Sequence, residues 1–78
     1  MTRTEFIAFL EESIRIEEFV IPIYARHIES TLFFAGFAQD KGEKVRGILR
    51  ELGVDSERHR RALEDLLATV RQADKDVY

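Results

Sequence analysis

Apolar residues recur three or four positions apart along two stretches of this chain, with a glycine-bearing break between them, and that pattern leaves few folds open. In the first stretch the stripe runs through Leu10, Ile14, Ile21, Tyr24 and Ile28, widened by Phe6, Ile7 and Phe34. In the second it runs through Val45, Ile48 or Leu49, Leu52, Leu63, Leu66 and Val70. The spacing predicts one helix over about residues 4–37 and another over about 41–72, joined by a short turn near 38–40. The whole chain, 1–78, then forms a single domain: an all-α, antiparallel two-helix hairpin.

Local signals refine these bounds. Thr2 or Thr4 can cap the first helix, and Glu5 suits its first turn. Pro22 removes one backbone donor and predicts a kink or bulge. Asp40, Lys41, Gly42 and Glu43 have the form of a capping box for the second helix. Gly53, followed by Asp55 and Ser56, offers a point at which that helix can divide, but the apolar spacing keeps phase across it and predicts one continuous element. The polar tail, 73–78, is expected to fray.

Composition then asks for a partner. Hydrophobic residues make up 45% of 78, more than a thin helix pair can hide. Phe9, Ile16, Phe19, Ile23, Phe33 and Phe37 widen the first helix's apolar surface beyond one stripe, which means more than one neighbour. A homodimer, with two hairpins closing into a four-helix bundle, is the economical solution. The net charge of -3, with bases mixed among acids, gives no basic face for nucleic acid. No apolar run approaches the ~20 residues of a bilayer span, and acids flank the apolar faces, so no membrane partner is expected. There is no cysteine, and the acidic start does not resemble a leader peptide; a cytoplasmic protein is the default expectation.

Both stripes turn polar at one level. Glu17 and Tyr24 interrupt the first, and Ser56 and His59 the second. With the turn near residue 39 or 40, His59 faces Ile21, within about a turn of Glu17 and Tyr24, while Asp55 lies near Ala25 and His27. An inward carboxylate needs a counter-charge, since burying one alone costs several kcal/mol. A metal ion is one such partner.

These residues resemble the ferritin-like superfamily. Glu17, Tyr24 and His27 are spaced as in the first helix of bacterioferritin, and the Glu17 to Tyr24 spacing is similar to that of rubrerythrin. Asp55 to His59, followed by Arg60 to Leu67, is similar to the second-helix segment that in those families reads Glu-x-x-His. The likeness spans about residues 5–72, half of a full-length four-helix unit. It implies that Glu17 is a terminal metal ligand and His59 the imidazole ligand. It also implies that Tyr24 and His27 lie beside the metals. The implied cofactor is iron, with manganese or zinc compatible by ligand type. The implied chemistry is iron oxidation, storage or oxygen-linked redox turnover.

One position departs from the family. The bridging glutamate should stand three residues before His59, and Ser56 stands there instead. Asp55, one turn before His59 on the same helical face, can substitute with a shorter reach. The alternative is a metal-free dimerisation or adaptor module of the same fold, whose Glu17, Tyr24, Ser56 and His59 form a hydrogen-bonded layer that sets helix register. A third reading, an unrelated helical hairpin, predicts that Glu17 and His59 are exposed and far apart. No nucleophile and base set and no phosphate loop is present.

Overall fold

The computed structural model describes residues 1–78. The chain is all-helical: α1 spans Arg3–Glu29, a single turn α2 spans Thr31–Phe34, and α3 spans Gln39–Gln72. α1 and α3 contact each other along their lengths, Ile28 beside Arg46, Glu17 beside His59 and Glu11 beside Arg71, in a rod of 55 × 16 × 15 Å. No helix is long and apolar enough to cross a membrane.

Thr2 starts α1. Its hydroxyl accepts from the Glu5 N–H at 3.1 Å, and the Glu5 carboxylate accepts from the Thr2 N–H at 3.0 Å. This reciprocal box satisfies two of the backbone donors that every helix start leaves open. α1 runs without interruption past Pro22, whose ring is exposed.

The first helix does not reach residue 37. Ser30 adopts an extended conformation; its N–H donates to His27 O at 3.2 Å, and its hydroxyl accepts from the Phe33 N–H at 3.1 Å. One serine therefore closes α1 and opens α2, because its side chain offers the backbone an alternative to the helical ladder. α3 begins earlier than the capping-box reading expects. Ala38 is its N-cap and has no side chain able to cap, so Asp40 lies within the first turn, where its charge suits the helix dipole. Gly42 is buried beneath the aromatic turn, where a Cβ would stand 3.5 Å from Phe37 and 3.7 Å from Phe34. Arg46 stacks over the Phe34 ring at 4.0 Å and donates to Ile28 O at 3.3 Å, satisfying a carbonyl in the last turn of α1. α3 is continuous through Gly53.

Packing is tightest at the end away from the turn. Leu10 and Ile14 interlock with Leu67 and Val70, with Phe6, Ile7 and Leu63 packed alongside. The tail joins this end rather than fraying. Tyr78 N–H donates to Met1 O at 2.7 Å, Arg3 N–H to Asp76 O at 2.9 Å, and the Tyr78 ring lies 4.9 Å from Phe6. Val77 and Thr2 form an antiparallel bridge, so the segment that leaves α3 pairs with the residues leading into α1. Even so, only six of 78 residues are buried, and Phe9, Ile16, Phe19, Ile48, Leu52 and Leu66 remain exposed.

Candidate functional site

Each residue turns an α-helix by about 100°, so contacts between α1 and α3 divide the rod into two long sides. Glu11 and Arg71 meet across the helices at 3.3 Å on one side. Glu17 and His59 meet on the other, with Glu17 Oε1 3.5 Å from His59 Nδ1. Six residues separate Glu11 from Glu17, a rotation of about 240°, and twelve separate His59 from Arg71, about 120°; the two pairs therefore flank the contact line.

The Glu17 side is the apolar one. Phe9, Ile16, Val20 and Ile23 of α1 share the helical sector that lies beyond Glu17, away from the core. Ile48, Leu52, Ala62 and Leu66 of α3 share the sector that holds His59. The carboxylate and imidazole thus lie among exposed apolar side chains. They also lie near mid-length of both long helices, which span 3–29 and 39–72.

The two partners differ in access: the Glu17 side chain is 20% exposed and that of His59 58%. Glu17 is held in the crevice between the helices, whereas His59 presents its ring outward. Their 3.5 Å separation is longer than a normal N–H···O hydrogen bond and is an electrostatic contact that gains when the ring is protonated or metal-bound. The contact departs from the unrelated-hairpin expectation that the two lie far apart, whereas the exposed His59 ring matches that expectation and departs from the inward-facing imidazole of the stripe.

The other candidates are arranged around the pair at varying distance. Ser56, three residues before His59, is buried against α1. Asp55 is half-buried and accepts from Arg58 at 2.7 Å, so its carboxylate is engaged on its own helix. Tyr24 is half-buried against Gly53, where a Cβ would stand 3.8 Å from the tyrosine Cβ. His27 lies ten residues beyond Glu17, about 15 Å along α1. Its Nδ1 is 2.8 Å from Ile23 O and its ring sits edge-on to Phe33 at 5.0 Å. Within one chain, Glu17 and His59 come together, and no three His, Asp or Glu side chains converge on a metal-sized site.

The basic run after His59 is tied down on the other side. Arg60 pairs with Glu57 and with Glu64, the latter at 2.8 Å, and Arg61 lies 3.5 Å from Glu57. The hydrogen bonds from Arg60 hold the Glu57 carboxyl below the usual carboxylate range, and Arg60 is held correspondingly more basic by Glu57. Pairs three and four residues apart on one helix are legible in sequence, and these are.

No family model, no curated protein and no solved structure matches this chain. The functional reading therefore rests on the residues themselves.

Proposed function

We propose that the chain is one half of a homodimeric, ferritin-like four-helix bundle, an antiparallel hairpin whose exposed apolar side packs on that of a second copy and whose Glu17 and His59 pairs together bind a metal ion, iron in the first instance. The observation that carries this reading is the placement of a 3.5 Å carboxylate and imidazole pair at mid-length of an exposed, largely apolar face, with Asp55 one turn from His59. A two-fold axis near that point overlaps the two rods over their full length and gathers two glutamates and two histidines. That donor set suits iron, manganese or zinc. Four ligands leave coordination positions open, as oxygen-linked or iron-oxidising chemistry needs, and carboxylates of Asp55 can join if Arg58 releases them.

Charge favours one way of crossing the copies. α1 carries six acidic and three basic side chains, while α3 carries seven acidic and eight basic. Laying α1 of one copy over α3 of the other sets a helix of net charge −3 (three bases less six acids) against one of +1 (eight bases less seven acids) and makes Glu17 and His59 alternate around the centre. Laying α1 on α1 would bring the two Glu17 carboxylates together, which is repulsive unless a cation sits between them.

A second reading keeps the dimer and omits the metal. Ser56 supports it, because a buried hydroxyl stands where the resemblance calls for a bridging carboxylate. Solution mass and metal content, measured on one tag-free sample after anaerobic incubation with ferrous iron, separate the readings. The metal reading expects dimers with stoichiometric iron that Glu17→Gln and His59→Gln each abolish. Dimers without iron leave the metal-free module, and monomers at high concentration refute both.

A further inference from the structure

The side of the rod opposite the Glu17 and His59 pair holds a second feature. In the half nearer the turn, the two helices part into a shallow groove with a floor of Ile21, Ile28, Leu49 and Val54. Ala25 and Gly53 both line it, and a Cβ at Gly53 would meet only that of Tyr24, at 3.8 Å, so these small residues leave the groove open. Its α3 edge carries Arg50, Arg58 and Arg61 against the acid Glu57, with Arg58 held by Asp55 at 2.7 Å and Arg61 73% exposed. Glu57 is already engaged by Arg60 and Arg61, and Arg50 pairs with no carboxylate.

We propose that this groove docks an amphipathic helix of a partner protein whose apolar anchors are flanked by acidic residues. From Leu49 to Arg61 the groove extends about 18 Å, the length of roughly twelve helical residues or three turns. Anchors at i, i+3 or i+4 and i+7 of such a helix fill the apolar floor. The notch at Ala25 and Gly53 lets the incoming backbone approach closely, as small residues do where helices cross. Arg50 and Arg61 stand eleven residues apart, about 16 Å along α3, so the edge addresses at least two separate negative charges. That spread fits carboxylates distributed along a helix better than the single headgroup of an acyl chain. The groove opens on the side opposite the proposed dimer face and shares only Tyr24 and Arg58 with the surroundings of the metal pair, so a copy of the chain can occupy one side while the helix occupies the other.

The test uses the full chain and a synthetic fourteen-residue helical peptide, with leucines at positions 4, 7, 8 and 11 and glutamates flanking them, labelled for fluorescence anisotropy. The same peptide with lysines in place of glutamates is the control. Saturable binding of the acidic peptide, at least about tenfold tighter than the basic one and weakening as salt rises, is expected. Arg50→Glu with Arg61→Glu should abolish the preference, and Gly53→Leu, which fills the notch, should abolish binding while circular dichroism shows the helices intact. If Gly53→Leu unfolds the chain, Val54→Asp serves, since that side chain is exposed. Equal affinity for the two peptides, no binding of either, or affinity unchanged in these variants overturns the proposal. So does a groove that takes anionic phospholipid vesicles but not the peptide.

Discussion

Replacing Ile16 with alanine tests the proposed dimer face with little disturbance of the monomer. The residue lies one position from Glu17, on the sector facing away from α3, and is 55% exposed in the single chain. Truncation removes three methyl or methylene groups, worth about 0.8 kcal/mol each on full burial. About half of that burial is left for a partner to supply, or roughly 1.3 kcal/mol per copy. A two-fold interface meets the change twice, so the dimer loses about 2.6 kcal/mol, and at 1.4 kcal/mol per decade its Kd rises by roughly 80-fold. Alanine favours a helix at least as well as isoleucine, so α1 itself is not weakened. Sedimentation equilibrium over a wide concentration range reads the shift directly. Val54→Ala, an exposed aliphatic on the opposite side, is the control and should leave Kd unchanged. Equal effects of the two substitutions, or a weaker Kd with Val54→Ala alone, would refute the assignment of the face.

Four further outcomes follow from the geometry. Leu10→Ala, at the most enclosed side chain of a four-residue core, should cost about 2–5 kcal/mol in urea unfolding, enough to unfold much of the isolated chain. Thr2→Ala should cost about 1 kcal/mol by removing the cap of α1. Acid should weaken the box through its other bond: hydrogen bonds to the Thr2 backbone N–H, then to its side chain, hold the Glu5 carboxyl below its ordinary value of 4.5, so their contribution is present above that value and disappears as pH falls through the lowered one. Thermal melts of wild type and Glu5→Gln should therefore converge as pH falls through that lowered value, whereas the Thr2→Ala gap, set by the Glu5 N–H bond to the hydroxyl, should persist. Tyr78→Phe should be neutral or stabilising by up to about 1 kcal/mol, because the buried hydroxyl has no protein partner, whereas Tyr78→Ala should loosen Phe6 and lower Tm.

What the sequence discloses here follows the range of each interaction. The helices are legible because spacings of three and four residues are local, and continuity through Gly53 is legible for the same reason: Leu49, Ser56 and Leu63 stay on one face across it. Thr2 and Thr4 compete as caps, and only the reciprocal bonds with Glu5 decide for Thr2. Ser30 is harder. The apolar pattern continues past it into Phe33 and Phe34, and no acidic residue three positions later announces a box, so one hydroxyl bonded to the Phe33 N–H ends α1 eight residues short of the expected 37. The docked tail is harder to read, since Tyr78 meets Met1 through backbone pairing that leaves no local spacing, and its ring reaches Phe6 from 72 residues away.

The position of the candidate site survives an error in register, and the reason is periodicity. A turn near 39 or 40 places His59 opposite Ile21, whereas the molecule sets it against Glu17, a shift of four residues or about 6 Å. Four residues return a helix to nearly the same face, so the imidazole stays in the same sector and moves one turn toward the carboxylate. A two-residue slip would have rotated Glu17 by about 200° and parted the pair. Asp55 shows the converse. Being one turn from His59 puts it on the right face, yet Arg58, three residues on, reaches it first at 2.7 Å. Competition between a partner on the same helix and a distant one is decided by side-chain reach rather than by pattern. If Arg58→Ala raises the affinity of the dimer for ferrous iron in calorimetric titration, the released Asp55 carboxylate belongs to the metal set. An unchanged affinity would confine that set to Glu17 and His59.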